Sequence, residues 1–295
     1  MKQVQDAYIV AATRTPIGRS HKGFLRNYRP DDLLATTIRA VMAQAPGLDP
    51  AAVEDVIAGC AIPEAQQGLN VARIGAVLAG LPTSVGGITV NRFCASGLSA
   101  VAMAADRIRV GEAEVMIAAG VESMSMVPMM GNSPSLSPSI FAPDSDVGIA
   151  YGMGLTAEKV AQQWKVSRED QDAFAVESHR RALAAIESGK FAAEITPLDV
   201  TYRVPNLKTG EVDYVKKTLT TDEGPRAGTT MEGLAKLKTV FDAKGSVTAG
   251  NSSQMSDGAG AVVLVSEKVL KQFGLTPLAR YVSFAVKGVP PAIMG

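Results

Sequence analysis

A layered α/β fold with a mostly parallel sheet is what three features of this 295-residue sequence predict. Short apolar runs suited to covered strands recur at residues 7–12, 56–61 and 115–120. Stretches of helical periodicity lie between them, as in a chain of βαβ units. Hydrophobic residues make up 46% of the chain and charged residues 20%, which supports a sizeable folded core and excludes a disordered chain.

The elements follow in order. Residues 7–12 form a first strand, stopped by Thr13-Arg14-Thr15-Pro16-Ile17-Gly18. A basic loop bearing Arg19, Lys22 and Arg26 comes next, readable as a phosphate contact or as an ordinary solvated loop. Asp31 is expected to cap a helix in which Leu34, Ile38, Val41 and Met42 share a face. Asp49 before Pro50 opens a short helical turn. Asn70 caps a helix carrying Val71, Ile74 and Leu78. Residues 126–146, rich in Pro, Ser, Met and Gly, form an irregular excursion. Helix resumes near residues 156–164, and Ser167-Arg168-Glu169-Asp170 reads as a capping box opening a long amphipathic helix to Ser188. Residues 190–239 look polar and strand-poor. Apolar character returns at residues 247–251 and 258–265, where the chain is expected to re-enter the first sheet.

Composition narrows the function classes. Lys plus Arg equals Asp plus Glu at 29 each, so there is no basic footprint for nucleic acid. No apolar run approaches the roughly 20 residues that span a bilayer, and the first residues lack a signal peptide's apolar stretch. Two cysteines, Cys60 and Cys94, give no disulfide framework, and a reducing, cytoplasmic setting is expected. No HxxxH or CxxC spacing supports a metal site. His21 and His179 read as surface or capping residues rather than bases, and Asp106 and Glu122 are candidate acids, although acids at element ends usually face water.

One stretch carries chemistry: Val90-Asn91-Arg92-Phe93-Cys94-Ala95-Ser96-Gly97. Residues 86–90 read as a turn running into a short strand, and Leu98, Val101, Ala102, Ala105 and Ile108 mark a helical face. Cys94 is therefore expected at a helix N-terminus, where free N–H groups and the dipole favour a thiolate. Small neighbours leave room for a substrate and for backbone donors to an oxyanion. The alternative is a buried cysteine acting as a small hydrophobe.

The sequence resembles the thiolases over residues 7–295. The matching stretches are Arg14-Thr15-Pro16-Ile17-Gly18, Asn91-Arg92-Phe93-Cys94-Ala95-Ser96-Gly97-Leu98, Gly120-Val121-Glu122-Ser123-Met124-Ser125, Gly154-Leu155-Thr156-Ala157-Glu158, Val247-Thr248-Ala249-Gly250-Asn251-Ser252-Ser253 and Ser256-Asp257-Gly258-Ala259. The resemblance implies a thiolase-like layered α/β/α fold with an inserted loop domain and a truncated second half. Residues 1–125 plus 252–275 would form the N-terminal α/β domain carrying the nucleophile. Residues 126–251 would form the coenzyme A-binding loop domain, and 276–295 the start of an incomplete C-terminal domain.

By the same resemblance, Cys94 forms an acyl-enzyme with a 3-ketoacyl-CoA, acetyl-CoA leaves, and coenzyme A collects the acyl group. The resemblance implies no metal and no bound prosthetic group: coenzyme A and acyl-CoA are substrates, in fatty acid metabolism of the β-oxidation type. Ser253 would meet the pantetheine amide, Met153 and Met294 would line the slot beside the thioester, and Arg226 would lie near the nucleotide. The methionines and the serine also have an ordinary packing reading. Gly152 stands where many acetoacetyl-CoA thiolases have a histidine, which points to a roomier, broad-range slot. Family members are dimers or tetramers, so a homodimer or homotetramer is expected, with no nucleic-acid or membrane partner.

The family also uses a Gly-His-Pro histidine, a Cys-x-Gly cysteine and an Asn-Glu-Ala-Phe asparagine in its last part. No histidine follows His179 and no cysteine follows Cys94, so turnover by these 295 residues alone is not expected. Two other functions stay open at this point: a non-catalytic acyl-CoA or lipid-binding protein, and a decarboxylating condensing enzyme on the same fold.

Overall fold

The computed structural model describes residues 4–294. The chain divides into two compact units. The first holds the described residues up to Asn132, then Ala192–Gly224 and Met255–Phe284; the second holds Ser133–Phe191, Pro225–Gln254 and the chain from Ala285 onward.

Among the described residues, all the strands belong to the first unit. They are β1 (Ala7–Arg14), β2 (Gly18–Arg19), β3 (Asp55–Gly59), β4 (Ile88–Val90), β5 (Val115–Ser123), β6 (Leu198–Pro205), β7 (Val212–Leu219), β8 (Ser256–Ser266) and β9 (Ala279–Arg280). Its main helices are α1 (Pro30–Ala43), α2 (Val71–Leu78) and α3 (Ser96–Arg109). Seven strands make one sheet in the order β4-β3-β5-β8-β1-β9, with β2 on β8.

The sheet is mixed, which corrects the expectation of a mostly parallel one. Only the β3–β4 and β3–β5 pairings are parallel. These are the strands linked by single helices, and a helical crossover returns the chain in the same direction. By contrast β8 arrives after a long excursion and runs antiparallel to β5, β1 and β2. Its return into the sheet agrees with the sequence.

Side chains alternate between two covered faces. Val115, Ile117, Ala119 and Val121 of β5 join Ala261, Val263 and Val265 of β8 against Leu34, Ile38 and Val41 of α1 and Val71 and Ala76 of α2. On the other face Met116, Ala118 and Leu264 meet Ala100, Ala104, Ala105 and Ile108 of α3. The α3 contacts are mostly alanines, so this helix lies close to the strands. Burying a leucine or isoleucine such as Leu34 or Ile38, both fully enclosed, contributes about 1.5–3 kcal/mol.

Caps mark the helix starts with one correction. Asn70 Oδ1 accepts from the Arg73 amide at 3.3 Å, and the Asp49 carboxylate accepts from the Ala51 amide at 2.8 Å. At α1, however, Arg29 occupies the cap position and Pro30 is the first helical residue. Asp31 lies inside the first turn and accepts from Arg29 at 2.7 and 3.0 Å.

The stretch expected to be strand-poor contains a hairpin: β6 and β7 pair antiparallel from Leu198↔Leu219 to Pro205↔Val212. Leu198, Val200 and Tyr202 alternate with Asp199, Thr201 and Arg203, a period-2 pattern diluted by the polar partners. Asn206 closes the turn by accepting from the Lys208 and Thr209 amides, and Gly210 supplies a φ of +74°. Residues 192–224 lie within the stretch the resemblance assigns to the loop domain; here they belong to the first unit and are fastened to β1. The Arg14 amide donates to the Glu194 carbonyl, the Thr196 amide donates to the Arg14 carbonyl, and Asp222 accepts from the Arg14 guanidinium at 2.7 and 2.9 Å.

The second unit is built on α4 (Met153–Trp164), α5 (Arg168–Glu187) and α6 (Met231–Ala235). Ser167 caps α5, accepting from the Asp170 amide at 3.0 Å, as the capping-box pattern predicts. Val176, His179, Leu183 and Ile186 form its half-buried stripe, while Phe174 stays exposed. Two buried acids tie the unit together. Glu158 accepts from the Ser246 and Val247 amides, and Asp172 accepts from Arg168 at 2.8 Å and from Asn251 at 2.9 Å.

Ile117 lies at the centre of the sheet with no exposure. Replacing it by alanine is expected to cost about 2–5 kcal/mol, read as a lower urea midpoint with an unchanged m-value.

Candidate active site

Cys94 is exposed and lies one residue before Ala95, the N-cap of α3. The turn leading to it is tight: Phe93 has φ +48°, a left-handed conformation uncommon outside glycine. Three bonds involving side chains hold that turn, besides the backbone bonds from the Ala95 and Ser96 amides. The Phe93 amide donates to Asn91 Oδ1 at 2.8 Å, the Ser96 hydroxyl donates to the Phe93 carbonyl at 2.6 Å, and the Arg92 amide donates to Ser96 Oγ at 2.7 Å. Arg92 itself reaches Ser99 Oγ at 2.8 Å. The result is an exposed thiol at the positive end of a 14-residue helix, a setting that favours negative charge.

The floor under this turn is the end of β3. A Cβ on Gly59 would lie 2.5 Å from the Ser96 carbonyl carbon and 2.6 Å from the Gly97 nitrogen, so only glycine lets β3 approach the first turn of α3. Cys60 follows, almost fully buried, and burial together with the charge of Glu122 pushes its thiol up to about 12. The two cysteines therefore differ in kind: Cys60 is an inert core thiol and Cys94 is accessible.

Glu122 corrects the expectation of an acid facing water. It is half-buried at the end of β5, and burial raises its pKa. Its carboxylate accepts from the Ala61 amide at 2.7 Å, the Ile62 amide at 3.4 Å and the Gln67 side-chain amide. Gln67 is wholly buried, donating also to the Ile62 carbonyl at 2.9 Å and accepting from the Ser123 amide at 2.9 Å. Asp106 does lie at the surface, in an exposed ion pair with Arg109.

The other residues singled out by sequence, Met153, Arg226, Ser253 and Met294, all lie in the second unit and are all exposed there. Met153 opens α4, and the turn Pro291–Ile293 just before Met294 packs on that helix. The Arg226 amide donates to His179 Nδ1 at 3.2 Å, so His179 holds the Arg226 loop. Ser253 leaves a knotted turn in which Thr248 Oγ1 accepts from the Gly250 and Asn251 amides at 3.2 and 3.3 Å. Among the described residues, no three His, Cys, Asp or Glu side chains gather as a metal site. No helix among them is long and apolar enough to cross a membrane.

Asn91 and Gln67 were not read as site residues from sequence, and Glu122 only as a candidate acid. Asn91 and Glu122 lie within the family motif stretches, but their contacts, and Gln67's, join residues far apart in the chain that no motif records.

Two outcomes follow from the contrast between the cysteines. At neutral pH iodoacetamide should label Cys94 and leave Cys60 untouched, giving a single adduct by intact mass. The Cys60 thiol is raised from 9.0 to about 12, so its contribution to stability is complete below pH 9 and is lost as the pH climbs toward 12. Urea midpoints across that window should fall more steeply for the wild-type chain than for Cys60→Ala.

Comparison with known proteins agrees with this geometry. Residues 7–268 match the family model described as thiolase, N-terminal domain. The chain is 47% identical to a 3-ketoacyl-CoA thiolase of Bacillus subtilis and 45% identical to an acetyl-CoA acetyltransferase of Pseudomonas aeruginosa. Each alignment takes in 99% of this chain and 74% of the relative. Among solved structures, the Bacillus anthracis acetyl-CoA acetyltransferase superposes with a TM-score of 0.84 at 36% identity, over 100% of this chain and 74% of that one. Human mitochondrial 3-ketoacyl-CoA thiolase gives the same TM-score at 35% identity, over 99% and 73%. With the family model covering most of the sequence and relatives this close, the chain belongs to the thiolase family.

Proposed function

We propose that this chain carries the acyl-accepting half of a thiolase reaction, with Cys94 as the nucleophile. The carrying observation is an exposed thiol directly before the N-cap of α3, in a chain of the thiolase family. The Cys94 thiolate attacks the keto carbon of a 3-ketoacyl-CoA to give a tetrahedral oxyanion. The oxyanion collapses, the bond between the second and third carbons breaks, and its electron pair leaves on acetyl-CoA as an enolate that takes up a proton. The shortened acyl group stays on sulfur as a thioester until a coenzyme A thiol collects it. Backbone N–H groups at the start of α3 suit the oxyanion, since peptide donors fixed by the fold need no rearrangement.

Under this reading Arg226, Ser253, Met153 and Met294 bind coenzyme A and the thioester, as the family resemblance implies, and all four are exposed. A side chain at Gly152 would meet nothing within 4 Å, so no packing demand selects this glycine, which supports a roomy slot and a broad range of 3-ketoacyl chains. The chain is proposed to act as a homo-oligomer. Complete turnover is not expected from these residues alone. The only histidines are His21 and His179, and Nδ1 of His179 already accepts from Arg226.

Intact mass after mixing with acetoacetyl-CoA tests the reading. An acetyl adduct on the wild-type chain and none on Cys94→Ala is expected, without sustained thiolysis. A folded chain that binds acyl-CoA yet takes no adduct would instead mark a non-catalytic acyl-CoA-binding protein. If the chain folds, Gly59→Ala should slow acylation at least about tenfold, because its Cβ displaces the first turn of α3.

A further inference from the structure

We infer that Glu122 and Asn91 are positioning residues for the nucleophile, joined by one continuous line of hydrogen bonds that fixes the turn bearing Cys94. The line has four links. Glu122 accepts from the Ala61 amide at 2.7 Å. The carbonyl of Ala61 accepts from Asn91 Nδ2 at 2.8 Å. The carbonyl oxygen of the same Asn91 side chain accepts from the Phe93 amide at 2.8 Å. Phe93, with φ +48°, passes directly into Cys94.

Each link is directional. Asn91 uses its donor on one side and its acceptor on the other, so a displacement of the 61–62 loop moves the amide that sets Phe93. The line is anchored at its far end by a group that cannot drift. The Glu122 carboxylate also accepts from the Ile62 amide and from Gln67, which is itself enclosed and bonded to the Ile62 carbonyl and the Ser123 amide. A left-handed residue other than glycine persists only where its surroundings over-determine it. Here Asn91 and Ser96 hold Phe93 from its amide and its carbonyl. Asn91 is exposed, so nothing in core packing explains an asparagine there.

A half-buried carboxylate at a strand end is a costly way to brace a loop, because it must be desolvated. What it supplies is two acceptor oxygens that take amides from two successive residues, Ala61 and Ile62, which fixes the direction of the Ala61 carbonyl. The aim of that carbonyl then sets Asn91.

The inference rests on the proposal that Cys94 is acylated, but its first readout does not. Full-length wild type, Asn91→Ala, Glu122→Gln and the double variant are compared by hydrogen–deuterium exchange. Both single variants should speed exchange at residues 91–96 about tenfold, the loss of roughly one hydrogen bond, with α1 and β5 protected as in wild type. The second readout sets acylation by acetoacetyl-CoA against alkylation by iodoacetamide. Acylation needs the turn's geometry and should fall about tenfold, while alkylation of the exposed thiol changes little. Unfolding would do the opposite, raising alkylation and exposing Cys60 as a second labelled site. Because the residues act in series, the double variant should be no slower than Asn91→Ala.

Wild-type exchange at residues 91–96 in Glu122→Gln would overturn the inference, as would losses that add in the double variant. A wild-type chain that is alkylated but never acylated counts against the acyl-transfer reading only, and the exchange comparison then decides the positioning claim.

Discussion

The first unit depends on the pairing of β8. This strand lies between β5 and β1, which share no hydrogen bonds with each other, so it alone makes the two parts of the sheet continuous. It pairs with β5 without a break from Val115↔Val265 to Ser123↔Asp257, and with β1 through one irregularity between Ile9 and Ala11. The chain leaves the sheet after Ser123 and returns at Ser256, and closing so long a loop has an entropic cost that grows only slowly with length. One carboxylate secures both ends. Buried Asp257, on the returning strand, accepts from the Ser125 amide at 2.9 Å and the Ser125 hydroxyl at 2.5 Å on the departing one. The excursion can therefore be long and irregular without loosening the sheet.

That arrangement explains why the turn at Cys94 can be exposed and still defined. Its support comes from the sheet's other interior strands, β3 and β5, through backbone approach at Gly59 and through Glu122. Exposure of Cys94 is a matter of one side only. Ser96 and Ser99, the next inward residues of α3, are buried, and their hydroxyls are spent on the turn and on the Ala95 carbonyl. Cys60 is enclosed in the core on the α1 and α2 side of the sheet, while Cys94 opens to the surface at the start of α3.

What could be read in the sequence was whatever had a local cause. The caps at Asn70, Asp49 and Ser167 follow from side chains that bond within three residues, and the buried runs of β3 and β5 follow from hydropathy alone. At α1 the proline outranked the aspartate, because Pro30 with its fixed φ already starts the helix and leaves Asp31 for Arg29. Strand direction was not legible, since hydropathy marks a strand without saying which way it runs. The β6–β7 hairpin escaped notice because one of its faces is charged and exposed, carrying Asp199, Arg203 and Lys216, while Lys217 interrupts the other face opposite Val200. Glu122 escaped because its partners, Ala61, Ile62 and Gln67, lie more than fifty residues away in the chain. The family motifs contained Asn91 and Glu122, but a motif names residues without saying what they touch.

The character of the support bears on the chemistry. The bonds that shape the turn at Cys94 are neutral ones, from Asn91 and Ser96. Arg92, the charged side chain within the turn, is directed to Ser99 Oγ and lies 6.0 Å from the Phe284 ring centroid. A thiol whose pKa is lowered far by a charged partner gains thiolate but loses intrinsic nucleophilicity. A helix N-terminus favours the anion without capturing it, and the same N–H groups remain to meet an oxyanion as charge moves from sulfur to oxygen. The acyl transfer proposed for Cys94 needs a thiol that both forms and releases a thioester, and an exposed thiol before the N-cap of α3 suits that demand.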